Sequence, residues 1–139
     1  MNIDEEKKQK SHEHCIQVGW VCGQLYGRYT PEWYVGLFHD FIEDDLGGEE
    51  HIYSSISLLN DPKKEKEVFD AIRVITRRKD ETYNEYIERV KQNPLALRAK
   101  VADLITNLFL RDTEPSESLK KRYKKALGVL LQGNLTTNQ

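Results

Sequence analysis

The chain has 139 residues, of which 38% are hydrophobic and 32% are charged, and it contains 4 prolines and 8 glycines. This length and composition predict one folded domain, residues 1–139, that buries about two thirds of the surface of its unfolded form, and they exclude a disordered protein. The net charge of -2 provides no basic field, so we expect no nucleic acid partner.

The N-terminal segment MNIDEEKKQK is charged throughout and lacks the apolar region of a signal peptide. No stretch of the sequence reaches the eighteen or so apolar residues that a membrane span requires. We therefore expect a cytoplasmic protein with no membrane partner. The sequence leaves a homo-oligomer open.

The first predicted helix covers residues 5–28 and carries a histidine on its apolar face. The residues that share this face with His14 are Val18, Val21, Cys22 and Leu25. A histidine in such a position is either a core residue or a metal ligand, and this helix alone leaves both interpretations open. His12 points away from that face. Its open roles are to support one of the ligands or to serve as an alternate ligand.

The same helix contains both cysteines of the chain and three glycines. Cys15 and Cys22 would stand roughly 10 Å apart at the rise of a helix, so we expect thiols that act as small core residues and no disulfide. Gly19, Gly23 and Gly27 follow one another at four-residue spacing. This spacing predicts a close contact with another helix.

A second helix is predicted over residues 31–44 and contains the stretch GLFHDFIEDD. One arc of about 140° on this helix is polar and the other side is apolar. The polar residues are His39, Asp40, Glu43 and Asp44, and the apolar ones are Tyr34, Phe38, Phe41 and Ile42. No base at helical spacing neutralises the acids, since the nearest ones are Arg28 and Lys63. A bound divalent cation would do so, and an ordinary acidic helix end is the alternative.

Five further helices complete the prediction. They cover residues 49–60, 62–77, 83–92, 94–111 and 116–132. A capping residue followed by proline starts two of them, at Asp61-Pro62 and Asn93-Pro94, as Thr30-Pro31 starts the second helix, and Thr82 with Glu85 has the spacing of a capping box. Strand alternation is absent, so the fold class is all-α, a bundle of six or seven helices.

The loop before the fifth helix, within VITRRKDETY, is basic. Arg77 and Arg78 belong either to a solvated loop or to a phosphate clamp, in which Tyr83 or Tyr86 would stack on a base. The charges of SLKKRYKKAL in the last helix indicate a solvated face, and we also expect His51 to be solvated.

The sixth helix, LALRAKVADLITNLFL, is apolar almost all round and still contains Asp103. A buried carboxylate is costly unless it is paired, protonated or bound to a metal ion. Lys100 lies one turn before Asp103 and Asn107 one turn after it, so an ion pair between Asp103 and Lys100 is the alternative to a metal ligand.

These residues resemble a known family. His14, the doublet His39-Asp40, the pair Glu43-Asp44 and a late Asp103 stand in the order found in the HD superfamily of metal-dependent phosphohydrolases. Within it, LFHDFIED and KVADLITN are most similar to the hydrolase domains of RelA/SpoT-type alarmone enzymes and their small stand-alone relatives, and TRRKDETYNEYIERV is similar to the corresponding stretch of small members.

The resemblance implies a ligand set, a cofactor and a substrate. Its metal ligands would be His14, His39, Asp40 and Asp103, around one manganese ion. Glu43 and Asp44 would hold or activate the attacking water. Lys100 and Asn107 would line the nucleotide pocket, to which Arg77 and Arg78 add phosphate binding.

The implied activity is hydrolysis of a small-molecule nucleotide, with the 3′-pyrophosphate of (p)ppGpp-like alarmones as the specific substrate group. Two other interpretations stay open: an HD-type hydrolase of another phosphoester, such as a nucleoside monophosphate, and an HD module that binds a nucleotide without turnover.

Overall fold

A computed structural model of the chain describes residues 2–41 and 49–136, with side chains through residue 132. Within these ranges the protein consists of seven α-helices and has no β-strand, which confirms the predicted all-α bundle. The helices are α1 (Ile3–Tyr26), α2 (Pro31–Phe38), α3 (Glu49–Ile56), α4 (Pro62–Ile75), α5 (Tyr83–Lys91), α6 (Pro94–Ile105) and α7 (Glu117–Thr136). A 3₁₀ turn, Ser57–Leu59, follows α3, and a π-helical turn, Thr106–Leu110, follows α6.

The predicted capping residues start their helices. The side chains of Thr30, Asp61 and Asn93 accept backbone N–H bonds in the first turns of α2, α4 and α6, each of which has proline near its start. Thr82 and Glu85 form the capping box of α5. Each cap satisfies N–H groups that the helix itself leaves without a partner, so these boundaries are local properties of the sequence.

The second helix is shorter than predicted. It ends at Phe38, and the prediction of helix through residue 41 is wrong. The reason is visible at the turn: the His39 ring donates from Nδ1 to the carbonyl of Gly36 at 2.7 Å, and the Phe41 N–H bonds to the Phe38 carbonyl at 3.1 Å. A side chain that bonds to the backbone in this way competes with the next helical turn.

The helix α1 packs closely on α2 through glycines. A Cβ on Gly19 would lie 3.2 Å from Leu37 Cδ1. A Cβ on Gly36 would lie 2.5 Å from Cys22 Sγ, which is closer than real Cβ atoms approach a neighbour. This confirms the packing predicted for Gly19. Gly27 has a different role, because it ends α1 with a φ of 101° that favours glycine.

The core lies between α2, α4, α5, α6 and α7, and α1 covers one side of it. Cys15 and Cys22 are buried and form no disulfide, as predicted. Leu25 was predicted on the buried face of α1, but it is exposed because it lies near the end of the helix. None of the described helices combines the length and the apolarity needed to cross a bilayer.

Candidate metal centre

The four predicted metal ligands come together although they are distant in the sequence. His14 lies on α1, His39 and Asp40 follow directly after α2, and Asp103 lies on α6. His14 Nε2 is 2.6 Å from Asp103 Oδ1, and His39 Nε2 is 3.0 Å from Asp40 Oδ2 and 3.3 Å from Asp103 Oδ1. The two imidazole rings meet edge to face, with centroids 5.3 Å apart.

Small side chains allow this approach. Ala99 and Ala102, which flank Asp103 on α6, are fully buried, and Ala102 packs with Val18 and Cys22 of α1. Close packing of α1 on α2 through their glycines places His14 and His39 together below the protein surface. The histidines and Asp103 are therefore buried themselves, with 7%, 2% and 3% of their surfaces exposed.

The hydrogen bond of His39 determines which ring nitrogen faces the acids. A carbonyl can only accept, so the contact with Gly36 requires the proton on Nδ1 and leaves Nε2 toward Asp40 and Asp103. The distances would allow hydrogen bonds at Nε2, but their angles do not, and this buried nitrogen has no hydrogen-bond partner. Unprotonated, it would face two other acceptors, so either a proton or a cation must lie there.

The charges around His39 favour a positive species at this point. Burial opposes protonation of the ring, but the carboxylates of Asp40 and Asp103 hold the pKa of His39 well above its usual value. Burial likewise opposes ionisation of Asp40, and the nearby His39 nevertheless lowers the pKa of that carboxyl. In both cases burial is the largest single effect, but the attractions between the ring and the carboxylates together outweigh it.

The carboxylate of Asp103 divides its two oxygens between two sets of partners. Oδ1 faces His14 and His39, and Oδ2 accepts from Lys100 Nζ at 2.8 Å. Burial would raise the pKa of Asp103, but Lys100 and His39 hold it well below its usual value. The ion pair considered as the alternative is thus present, and it leaves Oδ1 toward the histidines.

The donor atoms of His14, His39 and Asp103 all lie within 4.8 Å of one another, close enough to share one ion. Asp40 is not a member of this mutually close group, but its carboxylate lies 3.0 Å from the shared imidazole of His39. Two imidazole nitrogens and two carboxylates suit a borderline or hard divalent ion. The orphaned Nε2 of His39 and the chemistry of this donor set therefore fit a metal ion.

A cavity of about 230 Å³ opens from this cluster. Its lining includes three arginines from three segments: Arg77 after α4, Arg111 after the π-helical turn and Arg122 on α7. None of the three forms an ion pair with another described residue. Asn107 also lines the cavity, and its buried Oδ1 has no hydrogen-bond partner.

The ring of Tyr83 lies among these cations. The guanidinium carbon of Arg122 is 3.7 Å from the ring centroid and that of Arg77 is 5.6 Å from it. Cation–π contact holds both groups at the cavity. Tyr86, the other tyrosine considered for stacking, also lines the cavity, but it is buried and donates its hydroxyl to the Ile75 carbonyl.

The predicted site residues differ in their placement. Lys100, Asn107 and Arg77 line the cavity, and Arg78 is absent from its described lining. The Lys100 ammonium, predicted to bind substrate, bonds to Asp103. Glu43 and Asp44 lie outside the described residues.

The remaining histidines lie away from the cluster. Both His12 and His51 are exposed, and each ring contacts Phe41, at centroid distances of 5.7 and 5.9 Å. The exposure predicted for His51 is confirmed. The nitrogen Nδ1 of His12 lies 3.0 Å from the Lys8 carbonyl of its own helix.

Three cavity residues were missed in the sequence: Arg111, Arg122 and Tyr123. Arg111 continues the four-residue spacing of Asp103 and Asn107, which is a signal that was available. The solvated face predicted for the charges of SLKKRYKKAL is confirmed at Arg122, which is exposed, but the packing of α7 also brings Arg122 and the half-buried Tyr123 to the cavity. Nothing in that basic stretch distinguishes Arg122 from its neighbours.

Comparison with known proteins adds no relative. A scan against protein-family models finds none that matches the chain, and a search of curated proteins finds no match.

Proposed function

We propose that this protein is a metal-dependent phosphohydrolase that acts on a nucleotide, most specifically on the 3′-pyrophosphate of (p)ppGpp-like alarmones. The observation that carries the proposal is the convergence of His14, His39, Asp40 and Asp103 at a cavity lined by three arginines. The order of the HD-type motifs in the sequence supports the same reaction class. Manganese is the metal that we propose, because the resemblance to the HD superfamily implies it and carboxylate donors suit it.

The ligand residues would hold the ion in a fixed position. A bound divalent ion supplies a nucleophile at neutral pH by lowering the pKa of water, and it offsets phosphate charge. His39 is oriented for this role by its bond to the Gly36 carbonyl. The residues proposed to orient or deprotonate the attacking water are Glu43 and Asp44.

The arginines would bind the phosphate oxygens of the substrate. Arg77, Arg111 and Arg122 surround the cavity that opens from the cluster, and guanidinium groups match phosphate geometry. A second cavity of about 520 Å³ shares His14 and Asn107 with the first one. Together they offer room for the phosphates and for the nucleoside of one small molecule.

One observation favours a second function, an HD-type module that binds a nucleotide without turnover. Among the described residues, Lys100 and a protonated His39 balance the two negative charges of Asp40 and Asp103 without any ion. A cluster neutralised in this way would still present the arginines to a phosphate. Turnover of another phosphoester, such as a nucleoside monophosphate, is the enzymatic alternative.

Metal content and phosphate release together separate these functions. We expect the purified protein to retain about one divalent ion per chain and to release phosphate or pyrophosphate from a member of a nucleotide panel that includes a 3′-pyrophosphate. Asp40→Asn should abolish both. The matched control, Asp70→Asn, changes a half-exposed acid of α4 and should abolish neither. Nucleotide binding with no retained ion and no turnover would establish the binding module and refute the enzyme.

A further inference from the structure

The centre has a sulfur atom beside it that the proposed ligand set does not use. Cys15 follows His14 on α1, and its Sγ lies within 4.8 Å of a ring nitrogen of His39 and of a carboxylate oxygen of Asp40. This group shares His39 with the group of His14, His39 and Asp103. Two overlapping sets of donors therefore surround one imidazole.

The surroundings of the His39 imidazole indicate a bound ligand. Its Nε2 is buried, lies 3.0 Å from Asp40 Oδ2 and has no hydrogen-bond partner. Cys15 is as inaccessible as the ring, since only 1% of its surface is exposed. A cation held between the ring of His39 and the carboxylate of Asp40 would therefore have a buried sulfur among its nearest donors.

We propose that Cys15 supplies a thiolate ligand to this centre, so that its donors are nitrogen, oxygen and sulfur. The inference rests on the proposed metal centre. When the S–metal bond forms, the S–H bond breaks and the proton passes to solvent, as for any cysteine ligand. Sulfur favours zinc and cobalt over manganese and magnesium, so the centre should bind the former ions more tightly than a set of histidines and aspartates alone would.

The second cysteine provides the control. Cys22 lies on the same helix, is fully buried, packs against Gly36, and belongs to neither of the two donor groups found among the described residues. Burial raises the pKa of its thiol to about 12. Because the chain has only 2 cysteines, the variant Cys22→Ala retains Cys15 as its only sulfur nucleophile.

Cobalt absorption tests the ligand directly and independently of activity. We expect metal-free Cys22→Ala protein to bind cobalt with visible ligand-field bands and with a near-ultraviolet thiolate-to-cobalt charge-transfer band. Ligand-field bands without charge transfer would overturn the role of Cys15 and leave the metal centre intact. A protein that binds no cobalt, zinc or manganese at all would overturn both.

A second variant measures the contribution to metal preference. Cys15→Ala should lose the charge-transfer band. It should also lower the ratio of zinc to manganese affinity by at least about tenfold, because even the loss of a residue that only supports a metal ligand changes metal affinity by that factor. Circular dichroism checks that it folds. If it does not fold, the spectrum of Cys22→Ala still decides the question. An unchanged ratio in folded Cys15→Ala would contradict the proposal.

Discussion

Replacing Lys100 by methionine tests the charge balance of the site. The Lys100 side chain is 12% exposed and that of Asp103 is 5% exposed, and the two groups lie 2.8 Å apart. Methionine keeps the apolar stem but removes the ammonium that holds the pKa of Asp103 low. Removing one partner of a buried ion pair leaves an uncompensated charge, which costs about 3–5 kcal/mol. Since His14 and His39 remain, we expect a loss of about 3 kcal/mol in the metal-free protein, the lower end of that range.

A divalent ion should reduce this loss. The ammonium and the ion both neutralise Asp103, and they repel each other across one carboxylate. In Lys100→Met the ion takes over the missing positive charge, so we expect the variant to bind it more tightly than the unaltered protein does. Urea unfolding with and without manganese measures both effects, because an ion that binds only the folded state adds to its stability.

The control is a lysine in an exposed pair. Lys66 bonds to Asp70 one turn away on α4, and its side chain is 79% exposed. Lys66→Met should cost less than about 0.5 kcal/mol, with or without metal. A cost of Lys100→Met no greater than that of this control would refute the role of the buried ion pair. A difference between Lys100→Met and the unaltered protein that manganese leaves unchanged would refute the compensation by the ion.

Three further measurements examine the scaffold and the cavity. Gly36→Ala places a Cβ 2.5 Å from the sulfur that faces it on α1, so thermal unfolding should show a loss of about 1–3 kcal/mol, and a neutral result would show that the two helices can separate freely. Arg77→Gln should raise the KM for a phosphorylated substrate by about tenfold or more with metal content unchanged, whereas Arg78→Gln, outside the described cavity lining, should not; equal effects would contradict the placement. The bond to Arg89 lowers the pKa of Glu81 from 4.5 to about 2, so this pair stabilises the fold above about pH 4.5 and loses its contribution as the pH falls toward 2. Arg89→Gln should flatten that part of the pH–stability curve, and a curve parallel to that of the unaltered protein would refute the assignment.

Much of the architecture follows from local chemistry. Thr30, Asp61 and Asn93, each followed by proline, predict where three helices begin, and the structure begins them there. The apolar surround of Asp103 similarly predicts its burial, which is confirmed. Capping and amphipathic spacing act within one or two turns, so a single sequence is sufficient to identify them.

The end of α2 shows where this approach fails. The spacing of the acids after Phe38 is that of a helix, yet the His39 ring bonds to the Gly36 carbonyl and the helix stops. The sequence pattern describes which side of a helix is polar. It does not show that a side chain such as that of His39 will bond to a carbonyl that a backbone N–H would otherwise use.

By itself, then, the sequence determined the helical class, most helix starts and the presence of one histidine, His14, and one aspartate, Asp103, on apolar faces. Only the tertiary structure decided which groups meet. Asp103 bonds to Lys100 three residues away and also lies 2.6 Å from His14, 89 residues away, and Arg122 reaches the cavity through the packing of α7. Helical periodicity specifies the direction of a side chain relative to its own axis, whereas the neighbour in that direction depends on how whole helices pack.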